Sequence, residues 1–358
     1  MRVAFYTPMA EPDAHVASGV QRMGILLQRA LKAAGADVAR PRLPRTYEGR
    51  GDPARQAALQ ADSERAAAAF LQLLRAGREA KPDLWFSYHV YYKSPDWIGP
   101  AVSRALSIPF LIAEGSHAPK RAGGPWALGH DGSTAALRSA DRLLAMTVFD
   151  RFCLDQLAPG RVRDLKPFID VAGFELAPQL SATVRFVTVG TMKDDRKLAS
   201  YALLATALRL ADVPFSLRIA GDGPYRREIE GMFAGLNVAF AGMVAPDRIP
   251  AFLSEGDVFA WPGLGEAYGL VFLEAQAAGL AVVACRDRGV PDAVREGGTA
   301  LLSAPGDAVA YAANLKRVAM DVALRRRLGD AGRAFVAHER SIDAAARTLA
   351  AVVAEVRR

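Results

Sequence analysis

Short apolar runs alternate with longer stretches of helical period along the whole chain. In the first half, VAFYTPM, ADVARPRL, LWFSYHV, PFLIAEG and RLLAMT read as strands. Between the first two, GVQRMGILLQRALKAAG carries an apolar stripe of Val20, Met23, Ile25, Leu26, Leu27 and Leu31, and Gly35 is placed to stop it. The alanine-rich stretch PARQAALQADSERAAAAFLQLLRAGREA opens on Pro53, a residue suited to the first turn of a helix. Near residue 170 the alternation pauses. LKPFIDVAGFELAPQLSA has two prolines and no sustained period, as a linker would.

The alternation then resumes with VRFVTVG, FSLRIAG, VAFAGMV, VFAWPG, AVVAC and ALLSA, and the chain closes on helical stretches. Several of these runs are apolar on both faces, which suits parallel strands covered by helices. The pattern predicts an α/β protein of two Rossmann-like, doubly wound parallel-sheet domains. We expect a first domain over 1–172, a second over 173–340 and a C-terminal helix over 341–358 that crosses back to the first. Ligands of such sheets sit beyond the carboxyl ends of the strands, so a cleft between two domains facing each other is the expected site.

Composition changes this picture little. A length of 358 residues suits two cores rather than one. The only cysteines, Cys153 and Cys285, lack metal-type spacing, and no metal site is expected. No basic-then-apolar leader precedes the first strand-like run, and we expect a cytoplasmic protein. Charge is more informative. Residues 1–172 hold 23 basic and 17 acidic side chains and so carry most of the net +7. The excess is densest at Arg40, Arg42, Arg45 and Arg50. Such a patch can meet an anionic lipid or a phosphorylated acceptor, or it can simply be a solvated loop. No aromatic-interleaved basic motif supports nucleic acid as a partner.

The chemistry concentrates in GEAYGLVFLEAQAAGLAVVA, residues 265–284. This run is apolar or small almost throughout, yet Glu274 stands in its middle and Glu266 near its start. A buried carboxylate is costly unless it is hydrogen-bonded. A helix opening at Gly269 presents the N–H groups of Gly269, Leu270 and Val271, a ready site for phosphate. Glu274, a turn further on, can accept two hydrogen bonds from the vicinal diol of a ribose. Glu266 can reach a sugar hydroxyl beyond the phosphates. One segment could then read sugar, diphosphate and ribose in order. The alternative is an exposed Glu274 on an amphipathic helix and a plain loop carboxylate at 266.

Glu266, Gly269, Leu270 and Glu274, followed by AQAAGLAVVA, resemble the E-x7-E signature of the retaining glycosyltransferases of family 4, with Ala267, Tyr268 and Ala281 as departures. The likeness extends along most of the chain. GVQR, with Gly19, is similar to the family's first glycine loop. LKPFIDVAGF, with Asp170, resembles the interdomain segment. FVTVGTMKDDRK and LRIAGDGPYRREIE resemble the first two loops of the second domain. RDRGVPDAV resembles a glycine-rich loop, with Arg288 at its first glycine. The resemblance implies the GT-B fold and a sugar nucleotide, UDP- or GDP-linked, as donor substrate without a further cofactor.

It also implies site residues. The diphosphate calls for cations. The family's arginine falls on Thr191, a departure, and its lysine on Arg196 or Lys197. We prefer Lys197, because the helical run KLASYALLATAL starts there, with Arg196 covering the missing arginine's charge. The adjacent Asp194 and Asp195 are weak grounds for a metal. Backbone groups of Gly242 and Met243 would read the base. His117 is the candidate for orienting the transferred sugar, although Glu114 could equally fill that position. The implied activity is transfer of a sugar to an acceptor hydroxyl with retention, in cell-surface polysaccharide, lipopolysaccharide or glycolipid synthesis. A sugar or lipid-linked acceptor would bring loose peripheral contact with an anionic inner membrane face. A nucleotide-sugar-binding subunit without catalysis is the alternative from another class, and an epimerase or phosphorylase on the same fold is a third.

Overall fold

A computed structural model describes residues 1–10, 19–174, 181, 183–193, 195–267 and 269–357, with Asp195 described in its backbone alone. Two compact units emerge. One comprises Met1–Lys166 with Ile342–Arg358, the other Pro167–Ser341. The division therefore falls between Lys166 and Pro167, at the start of the proline-containing stretch.

The first unit holds six parallel strands: β1 (Arg2–Tyr6), β2 (Asp37–Ala39), β3 (Leu84–Tyr88), β4 (Phe110–Ala113), β5 (Arg142–Ala145) and β6 (Val162–Asp164). Their order is β2-β1-β3-β4-β5-β6. β6 was not among the runs expected from sequence. It is only VRD, too short to show a period, and pairing with β5 creates it. Every residue of β3 and β4 is buried, as expected of central parallel strands with helices on both faces. Ser87, the polar residue of β3, is satisfied inside the core. It accepts from Trp85 Nε1 at 3.0 Å and donates to Asp96 at 2.5 Å.

The helix Pro53–Arg75 starts where its sequence says it should. Pro53 occupies the first turn, and the Asp52 side chain caps the N–H groups of Ala54 and Arg55. The basic stretch before it is solvated: Arg40, Arg42, Arg45 and Arg50 are all exposed. The C-terminal helix Ile342–Val356 packs on the helix Gly19–Ala33 of this unit. It is pinned at its far end, where Glu355 accepts from Arg142 Nε at 2.8 Å and pairs with Arg163 at 2.8 Å.

The second unit repeats the plan with β7 (Val184–Val189), β8 (Phe215–Ala220), β9 (Val238–Gly242), β10 (Val258–Ala260), β11 (Ala281–Cys285) and β12 (Ala300–Ser303). All pairs are parallel, in the order β12-β11-β10-β7-β8-β9. Chain order reverses at the β7–β10 pair, so the crevice at their carboxyl ends is the topological switch point. The closing helical stretch divides at Asp321 into Ala308–Met320 and Val322–Glu339. Arg325, almost wholly buried, bridges that corner by donating to the carbonyls of Val318, Ala319 and Ser181. Among the described residues no helix is long and apolar enough to cross a membrane.

Candidate active site

Three loops leave the carboxyl ends of β7, β8 and β10 and meet at the switch point of the second sheet. After β7 the chain runs through Gly190, Thr191 and Met192 into the helix Asp195–Ala211. After β8 it makes the turn Gly221-Asp222-Gly223. The two loops are laced together: Gly190 N–H donates to the Ala220 carbonyl at 3.0 Å, and Met192 N–H to that of Asp222 at 3.0 Å. The approach requires glycine. A Cβ on Gly221, whose φ is 147°, would lie 1.8 Å from the Gly190 oxygen, and one on Gly223 would lie 2.3 Å from that of Met192. GDGP is thus a backbone-to-backbone packing device, a physical reason for the motif.

The third loop, after β10, carries Trp261 and Glu266. Trp261 is fully buried and meets Tyr201 edge-on, with ring centres 4.8 Å apart. Glu266 lies against this aromatic floor. One of its oxygens accepts from Trp261 Nε1 at 3.2 Å and from the ammonium of Lys197, which itself stands 5.4 Å from the Trp261 ring centre. Lys197 and Glu266 are mostly buried, at 20% and 17% side-chain exposure. Arg196 is exposed, and its aliphatic stem packs against Gly265. Of the adjacent cations Arg196 and Lys197, Lys197 is the one that faces the loop carboxylate.

The β10 loop is anchored throughout. Leu264 N–H donates to Ser200 Oγ at 3.0 Å, Gly265 N–H to Asp287 at 2.6 Å, and Gly289 N–H to the Glu266 carbonyl at 3.3 Å. Arg288, which stands where the resemblance expects glycine, keeps a left-handed backbone (φ 44°) and an exposed side chain. Gly269 takes a left-handed conformation as the N-cap of the helix Leu270–Ala277. That helix is buried on nearly every side, and Glu274 within it is only 2% exposed. The exposed alternative for Glu274 is excluded by its burial, and the carboxylate stands one turn behind a helix N-terminus. Tyr268 and Asp194 lie outside the described residues.

Gly242 ends β9 with φ 70°, and its carbonyl accepts from Gly221 N–H at 2.8 Å. Met243 beside it is exposed. Thr191 is half-buried between Gly190 and Met192. Sequence reasoning passed over Trp261, Tyr201 and Ser200. An indole directly after a strand that ends at a loop with a carboxylate was the available signal.

In the first unit, Gly19 opens its helix, with nothing within 4 Å of a Cβ built there. His117 approaches Thr134 Oγ1 at 3.4 Å and the His130 ring at 5.4 Å between centres. Burial, with help from His130 and Arg138, lowers its pKa. Glu114 sits elsewhere, in a cluster at the carboxyl ends of β3, β4 and β5. His89 Nδ1 lies 3.1 Å from Glu114. Burial disfavours the imidazolium, but the charges of Glu114 and Asp150 outweigh it and raise the His89 pKa. Asp150 is itself raised, chiefly by burial. His89 and Glu114 both adopt left-handed backbone, with φ 64° and 55°, which is uncommon outside glycine. His89 was not anticipated, although a polar residue ending an apolar run marks the carboxyl end of a strand.

Residues 183–321, which include all three loops of the second unit's site, match the family model described as Glycosyl transferases group 1. The chain is 39% identical over 116 residues to the sulfoquinovosyl transferase of Arabidopsis thaliana, covering 32% of this chain and 23% of that protein. It is 29% identical over 289 residues to the D-inositol 3-phosphate glycosyltransferase of Acidothermus cellulolyticus, covering 72% and 64%. The match thus spans less than two thirds of either relative. Among solved structures, HepE of Anabaena in complex with UDP superposes with a TM-score of 0.74 at 16% identity, covering 99% of this chain and all of that one. At that identity the likeness shows the fold. The two doubly wound units are of the GT-B type expected from sequence.

Proposed function

We propose that the protein transfers a sugar from a nucleotide diphosphate sugar to an acceptor hydroxyl, with retention of anomeric configuration. The observation that carries this reading is the Lys197–Glu266–Trp261 constellation at the switch point of the second sheet, within the segment that matches the glycosyl transferase family model. An ammonium has three donors. The charge of Lys197, held beside Glu266, favours a nearby diphosphate, and the indole limits the water that would screen that charge. The N-terminus of the helix Leu270–Ala277 supplies N–H groups to the same anion, and Glu274 binds the ribose diol.

As the bond between C1 of the sugar and the phosphate oxygen breaks, negative charge grows on the leaving diphosphate. Lys197 and the helix N-terminus stabilise that charge more in the transition state than before it. The acceptor oxygen forms its bond to C1 on the same face, and its proton passes to the departing phosphate. Glu266 both positions Lys197 and receives a sugar hydroxyl, and no protein nucleophile is needed. Thr191 leaves the diphosphate with one cation fewer than the family pattern, and the exposed Arg196 is free to swing toward it. In the first unit, His117 and the His89–Glu114 pair, at the carboxyl ends of the strands, are the candidate groups for binding sugar or acceptor hydroxyls.

The donor is a UDP- or GDP-sugar; the UDP bound to HepE supports the first. An acceptor in glycolipid or surface-glycan synthesis fits the basic first unit. That unit also exposes Val148, Phe149 and Phe152 on the helix Val148–Leu157, an apolar face suited to peripheral contact with an anionic membrane. The retaining outcome rests on the resemblance of the Glu266–Glu274 segment to the family's signature. A thermal-shift panel of nucleoside diphosphates and their sugars tests the reading. We expect one base to raise the melting temperature, and release of free nucleoside diphosphate only when acceptor is added. No shift with any member would overturn it.

A further inference from the structure

A second cluster lies at the carboxyl ends of β3 and β4 of the first unit, among residues given no role above. After β3 the chain makes a tight turn closed by Tyr91 and Ser94, whose N–H groups donate to each other's carbonyls at 3.3 and 2.8 Å. Tyr92 and Lys93 form its tip. After β4 a short 3-10 turn, Pro119–Arg121, brings Arg121 to the same place, and Trp126 follows it. Tyr92 and Trp126 meet edge-to-face with ring centres 5.7 Å apart. Both cations lie over both rings. Lys93 Nζ is 6.0 Å from the Tyr92 centre and 5.0 Å from that of Trp126; for the Arg121 guanidinium the distances are 5.3 and 4.9 Å.

The arrangement is held from behind. The helix Ala127–Ser139 comes so close to the turn that a Cβ on Gly129 would lie 2.1 Å from the Tyr92 carbonyl oxygen. Glu48 N–H donates to the Lys93 carbonyl at 2.8 Å. The Glu48 carboxylate is committed elsewhere, to the N–H groups of Arg50, Gly51 and Asp52. Among the described residues neither Lys93 nor Arg121 meets a carboxylate. The local imbalance is one of donors: Arg121 Nε and Trp126 Nε1 are buried N–H groups with no acceptor among the described residues. Two like charges on one aromatic pair repel each other, and the rings offset that only in part. An oxyanion would neutralise both and supply the missing acceptor, and arginine's planar fork suits a phosphate. The place is also the one where doubly wound sheets take ligands, beyond the strand carboxyl ends.

We propose that Lys93 and Arg121, seated on Tyr92 and Trp126, form a binding site for a phosphate monoester, and that this group belongs to the acceptor. The second clause rests on the transfer reading above; the anion site stands without it. A phosphate-bearing acceptor would then be either a soluble sugar or polyol phosphate, or a lipid headgroup of the same chemistry.

The test titrates sodium phosphate and glycerol phosphate at constant ionic strength into the full chain, following tryptophan fluorescence and heat. Wild type is compared with Lys93→Gln, Arg121→Gln, Arg121→Lys and Lys197→Ala. Each glutamine variant should weaken binding at least about tenfold, the loss of one charge-assisted contact, with an unchanged melting temperature. Arg121→Lys should keep most of the affinity. Trp126→Phe should abolish the fluorescence response while heat is still released. Lys197→Ala should retain the site, which separates it from any phosphate held by the second unit. Sedimentation with phosphatidylcholine vesicles, with and without phosphatidate, identifies the source. Co-sedimentation lost in the glutamine variants points to a lipid headgroup, and binding of glycerol phosphate alone points to a soluble acceptor. The proposal is overturned if neither form binds, if the glutamine variants bind as wild type does, or if binding vanishes with Lys197→Ala. Failure of the nucleotide panel would remove the transfer reading and leave the phosphate result standing.

Discussion

Lys197 and Glu266 form an ion pair between the first turn of one helix and the loop after β10, and the Trp261 indole fixes both, donating to the carboxylate and lying under the ammonium. The pair joins two segments far apart in sequence. It explains how a short basic stretch, with two adjacent cations, can deliver only one of them to a carboxylate. The first helical turn points Lys197 at the β10 loop and leaves Arg196 on the surface.

That difference predicts unequal effects. Lys197→Ala should lower the transfer rate by about 10²–10³-fold, the scale for losing one preorganised charge-stabilising donor. Arg196→Ala should cost less than about tenfold, as an exposed cation screened by water contributes little. Steady-state rates with the nucleotide sugar found in the thermal-shift panel decide the matter. Equal losses in both variants would contradict the assignment.

Glu274 is buried among apolar neighbours, behind the N-cap Gly269. Removing its carboxylate should cost the nucleotide its ribose contact, about 1.5–3 kcal/mol for hydrogen bonds to a charged group, or roughly ten- to a hundredfold in affinity. Calorimetry of Glu274→Ala with UDP and GDP checks this. An affinity equal to wild type would refute the ribose role.

Two glycine-to-alanine changes should differ in sign. Gly221→Ala drives a Cβ against the Gly190 carbonyl oxygen in a backbone region that disfavours side chains. The clash costs about 1–3 kcal/mol, and the dihedral roughly as much again. Gly231→Ala, within the helix Arg226–Met232 with nothing near its Cβ, should stabilise by about 0.5–1 kcal/mol. Urea unfolding of the two variants measures both. A neutral Gly221→Ala would mean that the β7 and β8 loops are not packed as described.

The raised pKa of His89 makes a pH-dependent contribution to stability. Its charged form is favoured by the fold. The contribution is therefore fully present below the ordinary histidine value of about 6.5 and is lost as pH rises through the higher folded value. Urea midpoints measured across that window should fall with pH in wild type and fall less in His89→Gln. Nuclear magnetic resonance titration of the His89 ring gives the folded value directly. A midpoint above that of a free histidine is expected, and one below it would refute the coupling to Glu114.

Periodicity and apolar runs were enough to place nearly every strand, both doubly wound sheets and the helix starts at Pro53 and Gly269, because those features depend on neighbours in sequence: side-chain alternation, turn residues and caps. The same local logic marked Glu274, since a carboxylate inside an apolar helix is anomalous wherever the chain goes. β6 escaped because three residues carry no period, and only the edge of β5 makes them a strand. The sequence preferred Lys197 over Arg196, but the meeting of Lys197 with Glu266, the place of Trp261 beneath them and the meeting of His89 with Glu114 and Asp150 are set by distances between loops that follow different strands. The sheet order brings those loops together, and no local pattern encodes which carboxylate a given cation will face. Sequence alone determined the architecture and the chemistry it has at hand; packing at the carboxyl ends of the strands decided which of those groups touch.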